Sequence, residues 1–279
     1  MHQRRDIQSI LIDPATNPDL AEKLKLAEQI RVFANNSLDL PGGDSYTSYV
    51  DVDGDALVWN VIATDEFSLQ AKKWCFPVAG CVPYRGYFKR HKADKSAARL
   101  RKKGMDVLVS PAAAYSSLGW FDDPLLSTML SGSDVRLAAY LFHELAHRRV
   151  YTSKDAMFNE AYASFVEGIG VTSWLESAQR QEDIQNWQHI QDVSKDFSAL
   201  VAQVYGELTR LYQSSQPDSA KRQQKAEIFQ SLSISYETLV AEKWDGQSYY
   251  ENWFSGRLNN AKFALYNTYE GGQCAFQQL

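Results

Sequence analysis

Near residue 133 the sequence changes its hydrophobic rhythm, and that change limits the folds open to it more than any single motif. Before it come short β-like runs, Ala56–Ile62, Trp74–Val78 and Val82–Phe88, separated by turn residues as in a meander of antiparallel strands. Asp106–Val109 resumes strand character after a helix from about Ala93 to Lys103, which stops at Gly104. An earlier helix is started by Asn17-Pro18-Asp19 and runs to about Ala34, with Leu20, Leu24, Leu26, Ile30 and Phe33 as its apolar stripe. Pro41-Gly42-Gly43-Asp44 breaks the chain after it. Beyond residue 133 the pattern is helical almost throughout. Ser131 or Ser133 caps a helix through about Arg149, and others are expected at about Ala156–Trp174, Arg180–Ser214, Ala220–Lys243 and Tyr249–Tyr269. Strands first and helices after predict an α+β chain. No linker separates the halves, so one domain over residues 1–279 is expected, with an α/β part to about 130 and a helical part from about 131.

Composition narrows the function classes. A formal charge of −5 gives no electrostatic warrant for nucleic-acid binding. The one basic stretch, Lys89 to Lys103, is interrupted by Ala and Leu at helical spacing and reads as the solvated face of a helix. No run of 18 apolar residues occurs, so no transmembrane segment is expected. No apolar stretch follows Met1–Asp6, so no signal peptide is expected there. Of the three cysteines, Cys75 and Cys81 match no common zinc spacing. They read either as a disulfide across Pro77 and Gly80 or as two buried thiols, and Cys274 stands near the end.

Leu141-Phe142-His143-Glu144-Leu145-Ala146-His147 is a His-Glu-x-x-His motif. Two imidazoles four residues apart on a helix project from one face and can reach one ion, with Glu144 beside it. The apolar neighbours Leu137, Tyr140, Leu141 and Leu145 predict a buried helix, and buried imidazoles need partners. A hydrolytic zinc site wants three protein ligands and one open position. Glu160, among the small residues Ala161, Ala163 and Ser164, is the expected third ligand. Glu167, seven residues on, lies on nearly the same face and suits a hydrogen bond to a ligand imidazole; Asp155 competes for that role. His2 and His91 do not resemble ligands, while His189 is a distant candidate for oxyanion stabilisation.

The blocks WCFPVAGCVPYRGYF (residues 74–88), GWFDDPLL (119–126), LFHELAH (141–147) and FNEAYASFVE (158–167) resemble the bacterial predicted zinc aminopeptidase family. Asn159-Glu160-Ala161-Tyr162-Ala163 is also similar to the Asn-Glu-Gly-Phe-Ala segment of leukotriene-hydrolase-type aminopeptidases, where the Glu binds zinc. That wider group is the gluzincins. The resemblance implies a zincin-like metallopeptidase with one Zn²⁺ per chain, held by His143, His147 and Glu160, with Glu144 as catalytic base. Its partner would be a peptide or protein substrate. It further implies a periplasmic, envelope-anchored location, with a lipid anchor on the native precursor. Two departures stand out. Only 12 residues separate His147 from Glu160, so the two helices are expected to pair antiparallel across a short loop. The Gly-x-Met-Glu-Asn segment that binds a substrate amine in the leukotriene-hydrolase group is absent. Asp122 and Asp123 are the candidate replacements, Tyr115 or Tyr162 the candidate oxyanion donors, Arg85 a candidate carboxylate partner, and Ala112–Leu118 a candidate substrate-pairing strand. Two rival functions are a narrow-specificity endopeptidase of the envelope and a zinc-stabilised binding module without catalysis.

Overall fold

The computed structural model describes residues 4–52, 54, 56–76, 80–112, 122–152 and 155–270. The chain divides into two compact units. One comprises Met1–Val58, Pro111–Trp187 and Tyr269–Leu279, and the other Trp59–Ser110 and Gln188–Thr268. In chain order the first begins with β1 (Arg5–Asp6), α1 (Ile7–Leu11), α2 (Pro18–Ser37) and β2 (Ser48–Val50). The second then takes β3 (Val58–Thr64), β4 (Trp74–Phe76), β5 (Gly80–Val82), β6 (Arg85–Tyr87), α3 (Arg90–Arg101) and β7 (Asp106–Ala112). The first resumes with β8 (Leu125–Leu126), α4 (Ser127–Leu130), α5 (Asp134–Arg149) and α6 (Ala156–Ser177). The chain leaves it along α7 (Gln181–Gln213), and the second unit ends with α8 (Asp218–Glu242), α9 (Glu251–Phe254) and α10 (Asn260–Glu270). The chain is mixed α+β and mostly helical, as its rhythm predicts.

In the first unit β2 pairs antiparallel with β1 and parallel with β8, with Tyr49 opposite Arg5 on one side and Leu125 on the other. α2 starts where Asn17 caps it: its side-chain oxygen accepts from Asp19 N at 2.8 Å, and Pro18 follows as the first helical residue. Its buried face, Leu24, Ala27, Ile30 and Ala34, meets Leu137, Leu141, Phe142 and Leu145 of α5 in one core. Phe33 and Phe142 hold their ring centroids 6.1 Å apart within it.

α5 and α6 carry the motif residues and lie side by side. Phe142 meets Gly170, His143 meets Glu167 and His147 meets Glu160, so contacts run in opposite order along the two helices. They are therefore antiparallel, as the short loop requires. Gly170 permits the approach: a Cβ there would stand 2.9 Å from the Phe142 ring and 3.0 Å from Leu38.

In the second unit β3 lies between β6 and β7, with Trp59 opposite Tyr87 and Val61 opposite Arg85. β4 and β5 form a separate hairpin instead of joining that sheet, so the expected meander is split. Cys75 and Cys81 face each other across the hairpin and are joined by a disulfide, which settles the two readings of that pair. Phe197, Val201, Leu208, Leu232, Trp244 and Phe263 form the core of this unit. Beside it, buried Lys225 donates to Asp106 Oδ2 at 2.6 Å and to the Glu66 carbonyl at 2.8 Å, and Asn260 N donates to the same Asp106 oxygen. The last expected helix is two. Gly256 takes φ +68°, closed to most side chains, and Asn259 then restarts the helix by accepting from Ala261 N and Lys262 N.

Candidate metal centre

Ser133 caps α5, its hydroxyl accepting from Arg136 N, and Asp134 lies in the positive first turn while Arg148 and Arg149 lie in the negative last one. A buried stripe fixes the rotation of the helix against the core and turns His143 and His147 toward α6. Asp155 starts α6 by accepting from Phe158 N at 3.0 Å. Asn159, only 2% exposed, stitches the connecting loop: its amide oxygen accepts from Thr152 N at 2.8 Å and its amide nitrogen donates to Thr152 O at 2.7 Å. The next residue is Glu160.

On this frame three side chains converge. Glu160 Oε2 lies 3.2 Å from His143 Nε2 and 3.7 Å from His147 Nε2, and the ligand atoms of the three residues all fall within 4.8 Å of one another. Tetrahedral ligands at ordinary zinc–nitrogen and zinc–oxygen lengths stand about 3.3 Å apart. The donor set, two imidazoles and a carboxylate, and its spacing fit a divalent cation such as zinc. On its other side His143 Nδ1 meets Glu167 Oε2 at 3.0 Å, the partner that would fix its tautomer. Buried Glu144 Oε2 and His147 Nδ1 have no hydrogen-bond partner among the described residues.

The charges of this cluster organise one another. Burial works against a charged His143, but hydrogen bonds to Glu160 and Glu167 and the nearby Glu144 charge outweigh it, and its pKa is pushed up to about 10. Burial likewise opposes a charged Glu160, yet the two imidazoles hold its carboxyl down at about 2. Glu144 is raised above the ordinary carboxyl range, chiefly by burial and against the pull of both histidines.

A family model described as Putative aminopeptidase matches residues 1–279. The chain belongs to that aminopeptidase family. Comparison with curated proteins and with solved structures gives no match.

For an aminopeptidase the remaining candidates are placed unevenly. Asp122 Oδ1 lies 3.7 Å from Arg148 Nη2, and buried Asp123 is held through its backbone, its N–H donating to Ser45 Oγ and its carbonyl accepting from Tyr46 N. Arg148 also donates to Ser45 Oγ at 2.6 Å. Tyr162 stacks on Phe158, with ring centroids 6.5 Å apart. Arg85 lies in β6 of the second unit with its guanidinium over Tyr87, and His189, also in that unit, bonds the Tyr249 hydroxyl at 2.9 Å. Tyr115 and most of the expected substrate-pairing strand, residues 113–118, lie outside the described residues.

Two aromatic residues beside this cluster carry no signal in the motif itself. Tyr151 stands edge-on to His147, ring centroids 6.5 Å apart, with 45% of its surface exposed. Burial and the Glu160 charge raise its phenol pKa. Its place four residues after His147 repeats the motif's own spacing and was the signal to follow. Tyr46 is buried at φ +61°, and burial, Glu144 and Asp123 raise its phenol well above the ordinary range. Nothing local in the sequence marks Tyr46; only the fold brings its loop to α5.

Proposed function

We propose that this family member is a zinc-dependent, zincin-like peptidase that removes residues from peptide N-termini. The observation that carries the proposal is the convergence of His143, His147 and Glu160, with the buried carboxylate oxygen of neighbouring Glu144 unpartnered among the described residues. A zinc ion held there would supply Lewis acidity, lowering the pKa of a bound water toward neutral pH and polarising the scissile carbonyl. Glu144 takes the proton from the attacking water and delivers it to the amine nitrogen as the C–N bond breaks. Its elevated affinity for a proton suits both transfers. Glu167 holds His143 with Nε2 toward the site. To Tyr151, exposed beside His147, we assign donation to the carbonyl oxygen as negative charge gathers there. Asp122 and Asp123 are the acidic residues we assign to recognition of the substrate's free amine. The Cys75–Cys81 disulfide supports an oxidising compartment, and with the family resemblance, a periplasmic, envelope-associated site of action.

The test is metal content by elemental mass spectrometry on protein purified without chelator, followed by hydrolysis of matched peptides with free and acetylated N-termini. About one zinc per chain, much reduced in Glu160→Ala, is expected. Glu144→Gln should keep the metal and lose about 10³-fold in kcat. An active Glu144→Gln variant overturns the mechanism, and equal cleavage of blocked peptides replaces the aminopeptidase with an endopeptidase.

A further inference from the structure

The second unit carries a surface that the metal chemistry does not use. Residues 89–103 hold eight of the chain's 29 Lys and Arg residues against a single acid, Asp94, although the whole chain is −5. All eight are exposed. Arg90 lies 3.9 Å from Asp94 and over the Trp59 ring, and Arg101 donates to the Val107 carbonyl. Lys92, Lys95, Arg99, Lys102 and Lys103 have no ion-pair partner among the described residues. Four of them, Lys92, Lys95, Arg99 and Lys102, recur at helical spacing along one stripe, while Ala93 and Ala97 bury the other side of α3. Phe88, immediately before the helix, is 71% exposed. The first turn of α3 contains no acid and its cap residue, Lys89, makes no side-chain cap bond, so like charges crowd the positive end of the helix dipole. A neutral or cationic neighbour would leave that repulsion standing; an anionic one relieves it.

We propose that α3, with Phe88 beside it, is a docking face for the anionic headgroups of a phospholipid bilayer. A flat anionic surface meets the basic stripe while the acidic remainder of the chain stays in solution. Phe88 supplies an apolar side chain that can sink to the boundary between headgroups and acyl chains, a contact that phosphates alone would not use. The stripe supplies the electrostatic part, which acts within a Debye length of the surface and weakens with salt.

Sedimentation of the full chain with vesicles tests the proposal, using phosphatidylcholine alone and phosphatidylcholine with about 30% phosphatidylglycerol. Binding should require the anionic lipid and disappear at high salt. The triple change Lys92→Glu, Lys95→Glu, Arg99→Glu should weaken partitioning at least about tenfold. The milder triple change to Gln should weaken it less, and Phe88→Ser several-fold. None of these positions belongs to the metal centre, so metal content and cleavage of a short peptide should stay at the wild-type level in each. Failure of wild type to bind anionic vesicles overturns the proposal, as does equal binding by wild type and the Glu triple variant. Binding to duplex DNA without binding to vesicles overturns it in favour of a nucleic-acid partner.

Discussion

At the scale of single residues, His143 joins the proton balance of the site to the proposed metal chemistry. Its folded pKa of about 10 lies above the ordinary 6.5, so its charged pairing with Glu160 and Glu167 stabilises the metal-free protein fully below pH 6.5, and that share is lost as pH rises through about 10. Glu160, held at about 2, contributes above the ordinary carboxyl pKa of 4.5, a share lost as pH falls through about 2. A metal bound there as proposed would have to displace the His143 proton. Calorimetric titration at pH 7.5 in two buffers of different ionisation enthalpy should therefore report release of about one proton per ion, with affinity rising between pH 6.5 and 10. Proton release near zero would mean that His143 is already neutral. Tyr151→Phe keeps the ring against His147 and removes only the hydroxyl. Metal content should hold while kcat falls about 10- to 1000-fold, and an unchanged kcat removes Tyr151 from the mechanism.

At the scale of elements, two consecutive helices and their loop do most of the positioning. Gly170→Ala puts a Cβ against Phe142 and Leu38, forcing α6 away from α5. The expected cost is about 1–3 kcal/mol, read as a lower Tm, with weaker metal binding because Glu160 and Glu167 move together. Loss of stability with metal affinity unchanged would show that the helix spacing tolerates the shift. Much of this pair was legible in the sequence. His143 and His147 announce themselves through a spacing that any helix converts into a shared face, and the small residues after Glu160 signal close approach. Tyr46 and Arg148 were not legible, because the Arg148–Ser45 bond spans 103 positions and rests on a tertiary contact with no periodic trace. The broken last helix was misread because apolar spacing carries on through Ser255-Gly256, while the left-handed backbone at Gly256 ends the hydrogen-bonded turn.

At the scale of the whole molecule, the fold class was readable from the change of rhythm at residue 133, whereas the interleaving of the two units was not. Each unit draws strands from the early sequence and helices from the late one, and such pairing depends on long-range burial that composition does not record. The centre and the largest core of the second unit share no residues. Metal loading should accordingly slow amide exchange in α5 and α6 while leaving α8 and α10 unchanged. Equal protection of all four helices would show that the ion stabilises the chain globally.

All three converging side chains fall between residues 143 and 160, and the helices that bear them close on each other through a six-residue loop, 150–155. Contacts so near in sequence form early and at small entropic cost. During synthesis the whole stretch is made before residues 188–268 and leaves the ribosome while most of that segment has yet to be added, so an ion could be captured by a nascent chain and serve as a nucleus around which the rest is laid down.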